Sequence, residues 1–267
     1  MKASSLYAGR SALAAAAGWL RGALAIGVLL AAAGCATGPN ANPADPLEPL
    51  NRKTAAFNDK VDDLVLRPVA TAYHRVLPSP VRAGVTNFFG NLSDVWSFVN
   101  SVAQLKLHNG FDDFVRVNIN TFWGVGGIFD IATQVGLPRH SEDFGQTLGR
   151  WGVPSGPYLV LPLLGPSTFR DAAALIVDVH GDPVNYINEI PVRNSLYALR
   201  LVDIRSNLLQ VSALLDAAAL DRYTFTRDAF LQRRLSDVHD GNLPDSGAVA
   251  PADAPSDAPA DKPADKP

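Results

Sequence analysis

Apolar side chains recur every three or four residues over most of positions 50–235, which is the spacing of amphipathic helices. The first such run should end at Pro68, because the residue before a proline avoids the helical conformation. It carries five apolar residues at helical spacing: Leu50, Phe57, Val61, Leu64 and Val65. Alternating, strand-like runs are scarce. The pattern therefore predicts an all-α fold with at most one small β-hairpin.

Capping residues predict where the next helices begin and end. Ser79 followed by Pro80 is typical of a helix start, and Ser93 predicts a second start. Asn109-Gly110 is typical of a helix end.

A capping box at Thr168 and Asp171 predicts a further helix that runs to about residue 179. Two more helices are expected over about 192–220 and 221–235. Acid pairs such as Asp112-Asp113 point about 100° apart on a helix, so we expect them on solvated faces or as partners of the helix dipole.

The stretch 192–220 carries two apolar stripes where a surface helix ordinarily has one. The first contains Leu201, Ile204, Leu208, Val211 and Leu215, and the second, roughly opposite, contains Leu199, Val202, Leu209 and Ala213. Two interpretations are open: a helix between two layers of one core, or a helix with protein on one side and lipid on the other. In the second case the polar residues between the stripes, Asn207 and Gln210 among them, line a wet or headgroup-bearing surface.

The segment 143–171 combines helix breakers with an apolar centre. Glycines permit bends and close backbone approach, and prolines remove backbone donors that would otherwise be buried without partners. One interpretation of this segment is an internal connection within a core.

The first 34 residues have the features of a bacterial signal peptide. Three basic residues and no acid accompany the apolar run 22–33, which is shorter than the roughly 20 residues that span a bilayer. The chain's one cysteine, Cys35, follows this run, and the sequence before it resembles a lipobox, with Ala32 where leucine is usual. We therefore expect a covalent lipid on Cys35 and no other cofactor.

Composition divides the rest of the chain. Residues 35–44 read as a tether, residues 45–240 as one helical domain, and residues 241–267 as a disordered tail rich in Ala, Pro and Asp. The net charge of −3 includes no basic stripe, which argues against a nucleic-acid partner.

Motifs of catalysis are not visible. The five histidines show no metal-binding spacing, Ser155 lacks a nucleophile motif, and no phosphate-binding loop occurs. We therefore expect that the protein is not an enzyme and holds no metal.

Five motifs in order resemble the VacJ/MlaA family of outer-membrane lipoproteins and span roughly residues 45–235. They are "DPLEPLNRKTAAFND", "RPVATAYHRVLPSPVRAGVTNFFGNL", "NINTFWGVGGIFDIA", "EDFGQTLGRWGVPSGPYLVLPLLGPSTFRD" and "DRYTFTRDAFLQRR". The fourth is the most specific, because its series of G, GPY, LP, G and RD is improbable by chance. In the fifth, Arg222 stands where the family usually has proline.

The resemblance implies a ring-shaped, all-helical protein embedded in the periplasmic leaflet of the outer membrane. It implies an amphipathic channel that passes misplaced phospholipid to a soluble periplasmic carrier, association with a trimeric porin, and no catalytic residues. Given such a channel, our hypothesis is that the segment 143–171 forms part of its wall or rim, and the alternative is the internal connection within a core. The candidate lining residues are Gly149, Gly152, Gly156, Pro157, Tyr158, Leu161 and Leu163. The competing hypothesis is a structural lipoprotein that scaffolds the outer membrane without passing lipid.

Overall fold

The computed structural model describes residues 42–242, and this part of the chain is helical with one β-hairpin, as predicted. The expected signal peptide, Cys35 and most of the expected tail lie outside the described residues. The helices are α1 (Glu48–Val61), α2 (Arg67–Val76), α3 (Ser79–Ala103), α4 (Leu107–Phe122), α5 (Ile131–Gln134), α6 (Phe144–Arg150), α7 (Phe169–Gly181), α8 (Ile190–Asn207), α9 (Leu209–Ala218) and α10 (Arg222–Val238). A π-helical turn (Asp62–Leu66) joins α1 to α2, and a 3₁₀ turn (Pro183–Tyr186) follows α7. The strands are β1 (Tyr158–Leu161) and β2 (Gly165–Thr168).

Pro68 does not end the first helix, so that prediction is wrong. The π-helical turn widens the helix just before the proline, and the Arg67 amide donates to the Asp62 carbonyl five residues back. Because the turn is widened there, the proline ring is accommodated and α2 continues from α1.

The predicted boundaries at Ser93 and Asn109-Gly110 are also wrong. Ser93 lies inside α3, where its hydroxyl donates to the Phe89 carbonyl at 3.0 Å. Gly110 lies inside α4, and a Cβ there would meet the Cγ2 atom of Val102 at 3.2 Å. Because this glycine has no side chain, α3 and α4 pack closely at this position, and the glycine does not end a helix.

The later helix starts at Thr168 and Asp221 are confirmed. The Thr168 hydroxyl accepts from the Asp171 amide at 3.2 Å and begins α7, and the Asp221 carboxylate caps α10. The expectation of a single helix over about 192–220 is wrong, because the stretch is divided at Leu208, whose amide donates to the Arg205 carbonyl only three residues back. This tighter turn separates α8 from α9.

The hairpin lies within the segment 143–171. Strands β1 and β2 pair antiparallel from Tyr158 opposite Thr168 to Leu161 opposite Gly165. Leu163, at the turn, has a φ of 64°, in the left-handed region. The hairpin is held to α1 by Asn51, whose side chain donates to the Tyr158 carbonyl at 3.1 Å and accepts from the Val160 amide at 2.9 Å.

The packing contacts between elements form a closed circuit. Helix α2 packs on α8, α8 on α3, α3 on α6, α6 on α7, α7 on the hairpin, and the hairpin on α1, which leads back into α2. Helix α4 packs on α3, and α10 packs on α6 and β2. No helix between residues 42 and 242 is both long enough and apolar enough to cross a membrane.

Candidate functional site: a polar interior inside an apolar surface

The distribution of polar and apolar side chains is inverted relative to an ordinary globular domain. Among the described residues, eight apolar side chains are buried, whereas twenty-one polar or charged ones are. Large apolar side chains are exposed on most helices. A water-exposed domain buries its apolar residues and rarely buries Asp, Glu or Arg. The described part of the chain therefore exposes more large apolar side chains than a water-exposed domain ordinarily does.

Helix α4 illustrates the inversion. Its outward face and the turn after it expose four aromatic rings: Phe111, Phe114, Phe122 and Trp123. Its inward face buries Asp112, Asp113, Arg116 and Asn120. The expectation that Asp112-Asp113 lies on a solvated face is wrong, because this helix turns its polar side toward the protein.

Helix α8 follows the same rule and decides between the two interpretations of its stripes. Leu201, Ile204 and Leu208 of the first apolar stripe are exposed, whereas Asp203 and Ser206, on the polar side, are buried. The interpretation of a helix between two apolar layers is therefore wrong, since one apolar stripe faces away from the protein.

Ion pairs balance most of the buried charge around Arg116. Asp130, which precedes α5, accepts from the Arg116 guanidinium, the Asn120 amide and Thr133. Although burial opposes ionisation, the hydrogen bonds from Thr133 and Asn120 and the charge of Arg116 lower the pKa of Asp130 to about 2. Burial raises the pKa of the neighbouring Asp94, against the attraction of its arginine partners.

A second ion-pair cluster holds both ends of the segment 143–171. The Arg234 guanidinium, on α10, lies 2.6 Å from both Asp143 carboxylate oxygens and 2.8 Å from the nearer oxygen of Asp171. Burial opposes ionisation of Asp143, but its hydrogen bonds with Arg234 lower its pKa. The sequence identified the capping role of Asp171 and missed its pairing with Arg234, because the two residues are far apart in the chain.

Two of the candidate channel residues take part in close packing. A Cβ on Gly149 would lie 2.6 Å from the Arg170 guanidinium and 2.9 Å from Val238, so the absence of a side chain lets α6 approach α7 and α10. Tyr158 is 1% exposed, and its ring packs edge-on against Tyr223 and Phe230.

Three further candidates form the chain leading into the hairpin or its first strand. Gly152 and Gly156 have φ values of 91° and 66°, which favour glycine, and Pro157 accepts from the Phe169 amide through its carbonyl. Leu161 is half-buried, and its carbonyl accepts from the Asn58 side chain at 2.9 Å.

The remaining candidates are exposed at two separate places. Leu163 is 61% exposed at the turn of the hairpin. Asn207 and Gln210 are exposed near the junction of α8 and α9, and Asn207 donates to Thr86 on α3 at 3.2 Å. The structure therefore groups the candidates of segment 143–171 and places the α8–α9 pair apart from them.

An open hollow of about 560 Å³ lies along α2 and was not predicted. Its lining includes Arg67, Thr71 and Arg75, which follow one another at intervals of four residues, together with Pro68 and Val76. The repeat of Arg67, Thr71 and Arg75 at four-residue intervals can be found in the sequence. Because the sequence predicts a helix end at Pro68, it does not predict this continuous face.

The circuit of packed elements, the polar interior and the apolar surface together define a class of helical protein whose polar side chains face inward and whose large apolar side chains face outward. The chain belongs to the MlaA lipoprotein family, whose model matches residues 43–237. This is a family of transport lipoproteins and not a known enzyme family. Among residues 42–242 there is no group of three or more His, Cys, Asp or Glu side chains that could hold a metal ion.

Named relatives cover most of the chain. The intermembrane phospholipid transport system lipoprotein MlaA of Escherichia coli strain K12 is 34% identical over 227 residues, which is 83% of this chain and 89% of that protein. The protein of the same name from Haemophilus influenzae is 33% identical and covers 78% and 85% of the two chains. An uncharacterised protein of Rickettsia bellii is 36% identical over 73% of this chain and 76% of that protein.

A solved structure has the same fold. It comes from work on the structural basis for maintenance of bacterial outer membrane lipid asymmetry, and it superposes with a TM-score of 0.65 at 34% identity. The match covers 73% of this chain and 98% of the other.

Proposed function

We propose that this protein is the outer-membrane lipoprotein of an intermembrane phospholipid transport system and that it maintains lipid asymmetry by passing mislocalised phospholipid to a periplasmic carrier. Family membership and the named relatives support the transport system. The observation that carries the proposal is the inverted burial, because a protein that lies within lipid must turn apolar side chains outward.

The proposed position is one leaflet, the periplasmic one. Helix α3, the longest described, has 25 residues, yet it buries the polar residues Asn91, Asp94 and Asn100. A spanning helix needs about 20 consecutive apolar residues, whereas an amphipathic helix lies in the plane of the membrane with its apolar face in the acyl region. The exposed aromatic residues of α4 suit such a position.

The proposed path for lipid is an amphipathic channel enclosed by the ring of packed elements. A phospholipid has a charged headgroup and apolar tails, so its passage needs polar and apolar surface side by side. Irregular backbone within the depth of a membrane must be buried or must line a wet cavity. The hairpin segment meets this condition through its hydrogen bonds to Asn51 and Asn58.

The lipid anchor and the protein partners complete the proposal. A lipid on Cys35 would hold the chain at the membrane, since each buried CH₂ contributes about 0.8 kcal/mol. The proposed partners are a trimeric porin and a soluble periplasmic lipid carrier, and the cargo is outer-membrane phospholipid.

The proposal is tested by lipid extraction and by the phenotype of a deletion strain. The full chain, purified in mild detergent, should carry phospholipid that mass spectrometry identifies. Deletion should raise the phospholipid content of the outer leaflet, and the native gene should restore it, whereas Cys35→Ser should not. If the purified protein carries no phospholipid and deletion leaves the outer-membrane asymmetry unchanged, lipid passage is excluded and the scaffold hypothesis is favoured.

A further inference from the structure

Helix α2 presents three distinct faces. One face packs on α8, where Ala70 is fully buried and the Tyr73 hydroxyl donates to Asp203 at 3.0 Å. The other two faces border the hollow of about 560 Å³. The side of α2 that does not pack on α8 therefore carries two adjacent strips that run along the helix.

The first free face is a polar strip formed by Arg67, Thr71 and Arg75. Residues four apart lie on the same side of a helix, and a rise of about 1.5 Å per residue puts the two arginine Cα atoms about 12 Å apart. The second free face is an apolar strip of Pro68, Ala72 and Val76, and Val76 is 76% exposed.

The two arginines differ in their partners. Arg67 lies 3.2 Å from Asp63, 3.5 Å from Asp62 and 3.5 Å from Asp216, so its charge is already balanced. Arg75 is exposed and forms no ion pair or hydrogen bond with any side chain between residues 42 and 242. The donors of Arg75 are therefore free to bind an anion.

The other polar groups of the hollow do not compete for that role. The Thr71 hydroxyl donates to the Arg67 carbonyl at 2.7 Å, so its hydrogen is committed. Asp63, which would repel an anion, pairs with Arg67 and lies twelve positions before Arg75. The cationic end of the hollow is thus the end at Arg75 and Val76.

We infer that this hollow is a binding subsite for one glycerophospholipid, in which Arg75 donates to the headgroup phosphate and an acyl chain lies along the strip of Pro68, Ala72 and Val76. A guanidinium matches the geometry of phosphate oxygens. The adjacent apolar strip favours a lipid phosphate over a free one, since free phosphate gains nothing from apolar surface. The inference rests on the proposed function and names the side chain that contacts the cargo.

The test uses the full-length chain in cells, with photoreactive p-benzoylphenylalanine in place of Val76. Irradiation should give a phospholipid adduct that mass spectrometry identifies. Adding Arg75→Glu should lower the yield of this adduct about tenfold or more, because a charge-assisted hydrogen bond is lost and a like charge replaces it. Arg75→Lys should restore part of the yield.

Two controls separate the subsite from bulk lipid. The same probe in place of Ile176, which is 67% exposed on α7, should react with lipid to the same extent with and without Arg75→Glu. Arg150→Glu makes the same charge change at another exposed position on α6 and should leave both adducts unchanged.

An adduct at position 76 that does not depend on Arg75, or that contains porin in place of lipid, overturns the inference. The proposed function stands in that case if the purified protein still carries phospholipid and outer-membrane asymmetry is kept. If the protein carries no phospholipid and asymmetry is unaffected by deletion, the proposed function fails independently of Arg75.

Discussion

Arg116 and Asp130 form a doubly hydrogen-bonded ion pair on the buried face of α4. The Arg116 side chain has no exposed surface, and its Nη2 atom lies 3.0 and 3.1 Å from the two carboxylate oxygens of Asp130. Its Nη1 atom donates to the Leu137 carbonyl, and its Nε atom lies 3.5 Å from Asp94 on α3. One buried cation therefore ties α4 both to α3 and to the chain around α5.

Replacement of Arg116 tests whether the polar interior stabilises the fold. Arg116→Met keeps much of the volume but leaves Asp94 and Asp130 with only the partly exposed Arg139 as a cationic partner, so we expect a loss of about 3 kcal/mol in the free energy of unfolding. Denaturation in mild detergent measures it. Arg233→Met is the control, because Arg233 is 82% exposed and its pair with Asp237 is worth about 0.5 kcal/mol or less. Equal losses in the two variants would contradict a stabilising role of the interior.

Asp113 gives a prediction about pH. It accepts from the Ser101 hydroxyl at 3.2 Å and from the His140 amide at 3.3 Å, and burial raises its pKa to about 6 against the attraction of His140. The folded state then binds more protons than the unfolded state between about pH 4 and 6, so this group's contribution to stability falls as pH rises through that window. Asp113→Asn should remove the dependence.

The measurement for Asp113 is the difference in melting temperature between the variant and the native chain. The melting temperature of Asp113→Asn minus that of the native chain should increase as pH rises from about 4 to 6, and should then stay constant. Asp221→Asn is the control. Hydrogen bonds from Arg52 lower the pKa of Asp221, so the titration of Asp221 changes the stability of the fold only in more acidic solution. A difference for Asp113→Asn that is flat with pH would contradict the assignment.

Gly149 gives a prediction about packing that does not depend on lipid. A Cβ at this position would lie 2.6 Å from Arg170 and 2.9 Å from Val238, so Gly149→Ala should destabilise the fold by about 1–3 kcal/mol despite the better helix propensity of alanine. Thermal unfolding in detergent measures the loss. Gly90→Ala is the matched control in α3, where the near neighbour is the partly exposed guanidinium of Arg139, which can move away. If Gly149→Ala is as stable as Gly90→Ala, the close-packing interpretation of Gly149 is wrong.

The helices could be predicted from the sequence, but several of their boundaries could not. Hydrophobic spacing and local capping chemistry identified the starts at Ser79, Thr168 and Asp221, because those signals act within one turn of a helix. The errors at Pro68 and Gly110 arose where packing or a π-helical turn overrides the local rule. Neither effect can be read from neighbouring residues alone.

The polar interior could not be predicted for a different reason. An amphipathic pattern gives two faces but does not say which one is buried, and the ordinary assumption places the polar face in water. That assumption fails for Asp113 and Arg116. The partners of Arg234 are also distant in sequence, so only the fold brings them together.

Leu163 allows the hypothesis of a channel wall to be tested with little risk to the fold. It is 61% exposed, and the hairpin turn is fixed through its backbone, whose amide donates to the Asn58 side chain at 2.8 Å. Asp tolerates the left-handed backbone conformation that Leu163 adopts. A loss of function in Leu163→Asp would therefore report on the surface and not on misfolding.

We expect Leu163→Asp to impair lipid passage, because a charge at the turn of the hairpin raises the cost of bringing acyl chains past it. Outer-leaflet phospholipid should rise toward the level of a deletion strain, while the amount of protein and its melting temperature stay close to native. Leu105→Asp is the matched control, since Leu105 has a similar φ of 61° and is 83% exposed in the turn between α3 and α4. Native asymmetry in Leu163→Asp would mean that the turn does not border the path of the lipid. The segment 143–171 would then act as an internal connection, held by Asn58 and Arg234.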